Sequence, residues 1–298
     1  MSSFREKLAA KVAAYFDRSA FWQRVFGRVM MNSTVIPAKI YPHTETGDVW
    51  WTEMKSPPDA SSAPDAFAVP PKGLWEGYGR DATQYLASGR VHVTRMLEIL
   101  AGSGFQLDGS ARILDFGCSA GRMVRWFAPH AKGREIWGVD IASEPIHWAV
   151  QHLSPPFYFA VNTTLPPLPF DANSFDLIYC GSVFTHIADL ADLWLVELRR
   201  LLKPGGFLYA TVHDKHSVHL LRHKHSTIAL SRSLDEANRR TGCADANFAK
   251  MVLARSPKGA QVFYDLEFLR SHWGRLLEIV TTTEEAYGYQ TAVVMRKR

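Results

Sequence analysis

No stretch of this 298-residue sequence stays apolar for the roughly 18 residues that a membrane-spanning helix needs, which excludes an integral helical membrane protein. The first residues also lack a continuous apolar run followed by a small-residue cleavage site, so we expect a cytoplasmic protein. Cysteine is scarce. The three present, Cys118, Cys180 and Cys243, cannot all pair, and two of them fall at expected core strand ends, so no disulfide framework is expected and a reducing compartment fits. Charge of one sign does not dominate either, with a net charge of +5, and no internal repeat is visible.

What the chain does have is apolar content. At 47% hydrophobic residues it can bury one full α/β core and carry additions. We expect a helical and linker extension over 1–74 and a single core domain over 75–298, with an insertion at 213–261. The positive charge belongs to the additions: Met1 to Met30 holds six Lys/Arg against two Asp/Glu, and His213 to Lys258 nine against four. The remainder is net acidic, so these two segments are where an anionic partner would be met.

Phe4, Leu8, Val12, Tyr15, Phe16, Trp22, Val25, Phe26 and Val29 recur at mostly helical spacing with Arg and Lys between them, which predicts one or two amphipathic helices. Such a basic helix can lie peripherally on an anionic membrane. Packing on its own core, or on a second copy in a homo-oligomer, is the commoner outcome. Five prolines between Ser56 and Lys72 remove backbone donors and predict a linker or extended arm. A helix follows, with Val93, Met96, Leu97 and Leu100 on one face.

The core then alternates short apolar runs with amphipathic ones, which predicts a parallel sheet. Strands are expected at Arg112–Phe116, Glu135–Asp140, Phe157–Val161, Phe175–Cys180 and Gly206–His213. Helices are expected at Gly121–Phe127, Glu144–His152 and Ala191–Leu202, the last stopped by Lys203-Pro204-Gly205-Gly206. Past the insertion, Asp265–Leu277 reads as a helix, and Glu278–Thr283 and Thr291–Arg296 as closing strands. The insertion itself reads as a helical lid.

In RILDFGCSAGR a strand runs into a turn with Gly117 and Gly121. Glycine there permits dihedrals closed to other residues and lets a ligand approach the backbone, and a following helix N-terminus would offer free N–H groups to a carboxylate or phosphate. The next strand, EIWGVD, ends in Asp140, 25 residues after Asp115. That is near the interval at which an acidic side chain grips a ribose hydroxyl pair. Gly117 and Gly121 enclose three residues and Phe116 precedes them, so the dinucleotide fingerprint G-x-G-x-x-G is absent and a nicotinamide cofactor is disfavoured.

The pattern D-x-G-C-x-x-G at 115–121 resembles motif I of the class I S-adenosylmethionine-dependent methyltransferases. The resemblance continues through GVDIA (138–142), LPFDANSFDLIYCGSVFTHI (168–187) and LLKPGGFLYATV (201–212), in the family's order and spacing. It covers roughly 75–215 plus the closing strands and is nearest the small-molecule, type 11/12-like branch. It implies a Rossmann-like seven-stranded α/β sheet, mostly parallel with an antiparallel last strand, and S-adenosyl-L-methionine as cofactor with S-adenosyl-L-homocysteine as product. It also implies roles: backbone at Gly117, Cys118 and Gly121 around the methionine moiety, Asp115 at its ammonium, Asp140 at the ribose hydroxyls, Ile141 on the adenine. Asn162 stands where the family often has an acid near the adenine amine; an amide can accept that hydrogen bond but adds no charge. Ser182 completes the expected cofactor set, and Arg122 would orient an acid group of cofactor or acceptor, or cover the helix start.

Methyl transfer from a sulfonium needs alignment within about 3 to 3.5 Å and exclusion of water, and a base only where the acceptor is a hydroxyl. His186 in SVFTHI follows the fourth strand at the carboxyl edge of the sheet, and is our candidate base, against the alternative of a histidine satisfied by its surroundings. His213, His216, His219, His223 and His225 crowd into one short segment, but no cysteine or carboxylate set beyond Asp214 accompanies them, so a polar, basic lid is expected there and no metal site. The basic flanks suit an anionic small acceptor, and the YG…QYLASGR approach with FTHI is similar to methyltransferases of glycan and natural-product pathways. O-methylation of a sugar, glycan intermediate or secondary metabolite is the preferred reading. RNA or other nucleic acid as substrate is one alternative, disfavoured because the Asn/Asp-Pro-Pro-aromatic signature of base-nitrogen methylation is replaced by Cys180-Gly181-Ser182-Val183. A non-catalytic protein that binds the cofactor is another.

Overall fold

The computed structural model describes residues 44–46, 49–51, 66–256 and 259–298. The amphipathic segment 1–30 and most of the proline-rich stretch lie outside the described residues. Strands β1 (Thr44–Thr46) and β2 (Val49–Trp51) form a small antiparallel pair. The long helix α1 (Ala82–Gly102) begins where the Asp81 carboxylate accepts the Gln84 amide at 2.9 Å, an N-cap that satisfies one otherwise orphaned donor. Its buried face, Tyr85, Gly89, Val93, Met96, Ile99 and Leu100, follows the expected 3.6-residue period.

The core strands are β3 (Ile113–Phe116), β4 (Ile136–Asp140), β5 (Tyr158–Val161), β6 (Phe175–Cys180) and β7 (Leu202–Val212), joined through helices α2 (Ser143–His152, between β4 and β5) and α3 (Ala191–Leu201, between β6 and β7). The insertion supplies α4 (Lys215–His223), α5 (Ala229–Thr241), β8 (Lys250–Ser256) and β9 (Gly259–Tyr264). Helix α6 (Leu266–His272) and strands β10 (Glu278–Tyr287) and β11 (Gln290–Arg296) close the chain.

The seven-stranded sheet has the order β10-β11-β7-β6-β3-β4-β5. Strands β7, β6, β3, β4 and β5 pair in parallel, and β11 runs antiparallel to both β7 and β10. This is the Rossmann-like arrangement anticipated, with the antiparallel strand last in sequence. Strands buried on both faces read as continuous apolar runs, and Ile113–Phe116 is buried throughout. Chain connections leave β3 in opposite directions towards β4 and β6, so the crevice beyond its carboxyl end is the switch point at which open α/β sheets bind ligands.

Several expectations need correction, among them the start of β7, which runs from Leu202 through Lys203–Gly206 instead of from Gly206. After Gly121 the chain makes turns and then a 3-10 helix, Val124–His130, instead of an α-helix; Pro129 inside it has no N–H for an α-helical bond. Strand β10 extends past Thr283 to Tyr287 through a register shift. The insertion is not wholly helical: β8 and β9 form an antiparallel hairpin whose Met251, Leu253 and Phe263 alternate inward onto Val218, Leu221 and Leu234. This hairpin is stitched to the core, the Val262 amide donating to the Thr185 carbonyl at 2.8 Å and the Tyr264 amide to that of His213 at 2.8 Å.

Candidate functional site

The loop beyond β3 is shaped by positive φ at Gly117 (87°), Ser119 (47°) and Gly121 (76°). The amides of Gly117 and Cys118 donate to the Val139 carbonyl at 2.8 and 3.1 Å, and that of Gly121 to the Cys118 carbonyl at 2.9 Å. The Ser119 amide donates to Asp140 Oδ2 at 2.8 Å. These four N–H groups are therefore engaged within the protein, and the free anion-binding helix N-terminus expected here is not formed. Glycine is needed at 117: a Cβ there would lie 2.3 Å from Val183 Cγ2, so the loop after β6 rests on the glycine turn.

Around this loop stand carboxylates of unusual character. Asp115, 3% exposed, keeps Oδ2 without a hydrogen-bond partner. Burial raises its pKa to about 8, against the lowering influence of the Tyr179 hydroxyl and the Arg122 guanidinium. Asp140 ends β4; besides Ser119 it accepts the Ala142 amide on Oδ1 at 2.9 Å. Its pKa is also raised by burial, offset by these backbone donors. Ile141 beside it is exposed, an apolar side chain at the rim. Asn162, beyond β5, donates from Nδ2 to the Thr163 carbonyl at 2.7 Å and leaves Oδ1 buried and unpartnered. Buried Ser119 Oγ is likewise unpartnered.

Arg122 is buried and, among the described residues, forms no ion pair. Its Nη1 donates to Ser88 Oγ at 3.2 Å and His92 Nδ1 at 3.1 Å, its Nη2 donates to the Tyr287 hydroxyl, and its guanidinium lies 3.8 Å over the Tyr78 ring. The Tyr287 hydroxyl in turn donates to that of Tyr78 at 2.9 Å, and the His92 ring stacks on Tyr287 at 3.9 Å. Burial, then Arg122, pushes the His92 pKa down to about 3, so this imidazole is neutral and accepts from the arginine. A buried cation surrounded only by neutral partners is poised for an anion.

Ser182, at φ 64°, is locked in place. Its amide donates to Thr211 Oγ1 at 2.7 Å, and its Oγ accepts from Gln290 Nε2 at 2.8 Å and meets Thr185 Oγ1 at 3.0 Å. That network fixes the segment leading to His186. The His186 Nδ1 lies 3.0 Å from the Ala260 carbonyl, which can only accept, so the proton is on Nδ1 and Nε2 presents a lone pair. Solvent reaches one side of the ring while the hairpin crowds the other, and this burial pushes its pKa below the ordinary value.

The histidine-rich segment disperses in space. His216 faces Glu284 and Glu285 at 3.5 and 3.4 Å, and His219 and His223 pack on each other at 4.6 Å. His225 lies against Tyr289, and His213 is buried. Among the described residues no group of three or more His, Cys, Asp or Glu could hold a metal ion. A cleft lined by Phe105, Lys203, Gly206 and Arg296 lies at the amino end of β7, the opposite edge of the sheet, away from these groups.

The sequence pointed to the glycine loop, Asp140, Asn162 and Arg122, which the fold gathers at one edge. It did not point to Tyr78, His92 or Tyr287, which enclose Arg122, nor to Glu76. Burial and the neighbouring Asp140 raise the pKa of Glu76. One signal was available for that last segment: Glu76, Gly77 and Gly79 all adopt positive φ, and its Gly-x-Gly spacing marks such a turn.

Residues 114–210 match the family model described as a methyltransferase domain. Among curated proteins, none matches. Solved structures with a similar fold include an S-adenosylmethionine-dependent methyltransferase from Methanosarcina mazei, at 22% identity, covering 67% of this chain and 96% of that one with a TM-score of 0.47. A 1,6-didemethyltoxoflavin-N1-methyltransferase from Burkholderia thailandensis has 19% identity, covering 86% and 99% with a TM-score of 0.46. A putative sarcosine dimethylglycine methyltransferase from Galdieria sulphuraria has 15% identity, covering 73% and 88% with a TM-score of 0.46. Over residues 114–210, which hold the glycine loop and β3 to β7, the chain is thus similar to methyltransferase domains. No helix among the described residues is long and apolar enough to cross a membrane.

Proposed function

We propose that this methyltransferase acts on a hydroxyl of a small, anionic acceptor, such as a sugar, a glycan intermediate or a secondary metabolite, in the cytoplasm, and that residues 75–298 are one catalytic domain with the 213–261 insertion beside its cleft. What carries the cofactor assignment is a set of buried polar atoms without partners at the carboxyl ends of β3 and β5: Asp115 Oδ2, Ser119 Oγ and Asn162 Oδ1. Such groups are rare in folded proteins unless a ligand meets them. They fit S-adenosylmethionine: Asp115 at the ammonium, Asp140 at the ribose hydroxyls through lone pairs its two amide donors leave over, Ile141 against the adenine face, and Asn162 Oδ1 at the adenine amine. Gly117, Cys118 and Gly121 shape the backbone that the methionine moiety lies on. Arg122 supplies the cation for its carboxylate, the part first assigned to free loop amides. Ser182 acts by holding the loop that carries Val183 and His186.

The bound cofactor supplies an electrophilic methyl group on a sulfonium. The protein's task is then to orient an acceptor oxygen in line and keep water out. His186, with a lone pair on Nε2, lies on the loop that touches the glycine turn and is the proposed group through which the acceptor's proton leaves the site. Basic residues of the insertion, Lys215, Arg222 and Lys224 among them, are paired to Asp265, Asp245 and Glu285, which leaves acceptor choice to the groups between these pairs and the sheet edge. Transfer of radiolabelled methyl from S-adenosylmethionine should be measured on sugar nucleotides, glycan intermediates and RNA. Transfer to hydroxyl acceptors is expected; transfer to RNA alone would overturn the reading.

A further inference from the structure

His213 has no part in the assignments above, yet it is the most anomalous polar group at this edge of the sheet. It is 1% exposed, and apart from the Val262 backbone neither ring nitrogen has a hydrogen-bond partner. An imidazole carries one donor and one acceptor; the Val262 backbone can take the donor, and burying the remaining lone pair unmet costs free energy that a fold normally avoids. The main chain is fixed, because the His213 carbonyl accepts the Tyr264 amide at 2.8 Å. The ring is held between Phe263, at 4.8 Å, and Tyr289, at 5.5 Å.

Its position suits the acceptor. His213 follows the carboxyl end of β7, and β7 pairs in parallel with β6, so it leaves the sheet beside the Ser182–His186 loop and at the same edge as Gly117. Tyr289 precedes Gln290, whose Nε2 donates to Ser182 Oγ at 2.8 Å, so the aromatic surroundings of His213 lie against the loop after β6. On the other side, strand β9 carries Phe263 beside His213 and bonds through the Val262 amide to the Thr185 carbonyl at 2.8 Å, next to His186. Burial, then His186, against a weaker opposing influence of the Val262 backbone, lowers the His213 pKa to about 3. The ring is therefore neutral and its lone pair available at any physiological pH.

We propose that His213 is a catalytic residue of the acceptor subsite, whose imidazole accepts the hydrogen bond of the acceptor's hydroxyl and takes its proton during transfer. The step balances: the acceptor oxygen forms the new C–O bond as the methyl's bond to sulfur breaks, the electron pair of that bond stays on the sulfur, and the hydroxyl proton passes to His213. From there it reaches solvent by way of the Nε2 lone pair of exposed His186. This rests on the hydroxyl-acceptor reading above.

Replacing His213 by Phe keeps an aromatic ring among Phe263 and Tyr289 and removes the lone pair. The unbound His213→Phe protein should melt at or above the wild-type temperature, by about 2 to 4 °C, because a buried, unmet lone pair has gone. Its affinity for S-adenosylhomocysteine should be unchanged. With methyl glucoside and UDP-N-acetylglucosamine as hydroxyl probes, turnover should fall about 100-fold or more, and His213→Gln should recover part of it. Wild-type turnover by His213→Phe, or a melting temperature several degrees below wild type, overturns the proposal. If the wild-type protein methylates only amines or RNA, the hydroxyl reading itself has failed. A wild type active on a hydroxyl with an equally active His213→Phe means that only the role of His213 has failed.

Discussion

The Ser119 amide donates to the Asp140 carboxylate at 2.8 Å, tying the glycine loop after β3 to the end of β4. Since the Ala142 amide holds the other oxygen at 2.9 Å, one side chain sets both the loop and the turn that flanks it. Asp140→Ala removes both acceptors, whereas Asp140→Asn keeps one. With hydrogen bonds to a charged group worth about 1.5 to 3 kcal/mol, Asp140→Ala should weaken S-adenosylhomocysteine binding by about 10- to 100-fold or more, and Asp140→Asn by less. Calorimetric titration checks this, and wild-type affinity in Asp140→Ala would remove the ribose assignment.

Asp115 makes stability and cofactor affinity depend on pH in opposite directions. Its folded-state pKa of about 8 lies above the ordinary 3.8, so between those values the folded protein holds a proton that the unfolded chain has released. Stability is then greatest below about pH 4 as far as this group is concerned, and declines as pH rises towards 8. Asp115→Asn removes the titration, so its melting temperature should gain on wild type progressively from pH 5 to pH 8. A cofactor ammonium beside Asp115 would favour the carboxylate, so binding at pH 7 should release a proton. Calorimetry in buffers of different ionisation enthalpy reads that release directly; none in the wild type, or the same release in Asp115→Asn, would detach Asp115 from the ammonium.

Local pattern explains what was legible beforehand. Phe175–Cys180 was read to the residue because its strand is buried and bounded by a turn and a glycine. Asp140 and the glycine loop lie within one strand-turn-strand unit, so their partnership shows in spacing alone. The groups around Arg122 do not: Tyr287 is 165 residues from it and Tyr78 lies 209 residues from Tyr287. Only the sheet's closure, with β11 inserted between β7 and β10, brings them together. The hairpin β8–β9 was hidden by the histidines before it, which drew attention to ligands where the period-two burial of Met251 and Leu253 marked a strand. The same histidines, read as a surface lid, concealed the one that the fold buries.

Gly138 in the middle of β4 tests how closely the cofactor loop packs on the sheet. A Cβ there would come within 2.7 Å of Cys118 Sγ and 2.8 Å of the Phe159 ring. Gly138→Ala should destabilise the fold by about 1 to 3 kcal/mol, as overpacking does, and Cys118→Ala should relieve part of that in the double variant. Urea denaturation of the two single variants and the pair measures the coupling. Additive effects would mean that Phe159 alone supplies the obstruction.

His186 separates a base from a structural histidine. If its Nε2 takes the acceptor proton, directly or from His213, His186→Ala should lower kcat by about 100-fold with the S-adenosylhomocysteine affinity unchanged. Burial lowers its pKa below the ordinary 6.5, so the active, neutral form persists through neutral pH, and kcat/KM should fall only on acidification below that value. That acid limb should be missing from the residual activity of His186→Ala. The two histidines in one proton path should also be non-additive, the His186→Ala, His213→Phe double variant being little slower than the more damaged single variant. Multiplicative losses would place them in separate roles, and full turnover by His186→Ala would leave it only the hydrogen bond to Ala260, a tie that holds the hairpin to the loop.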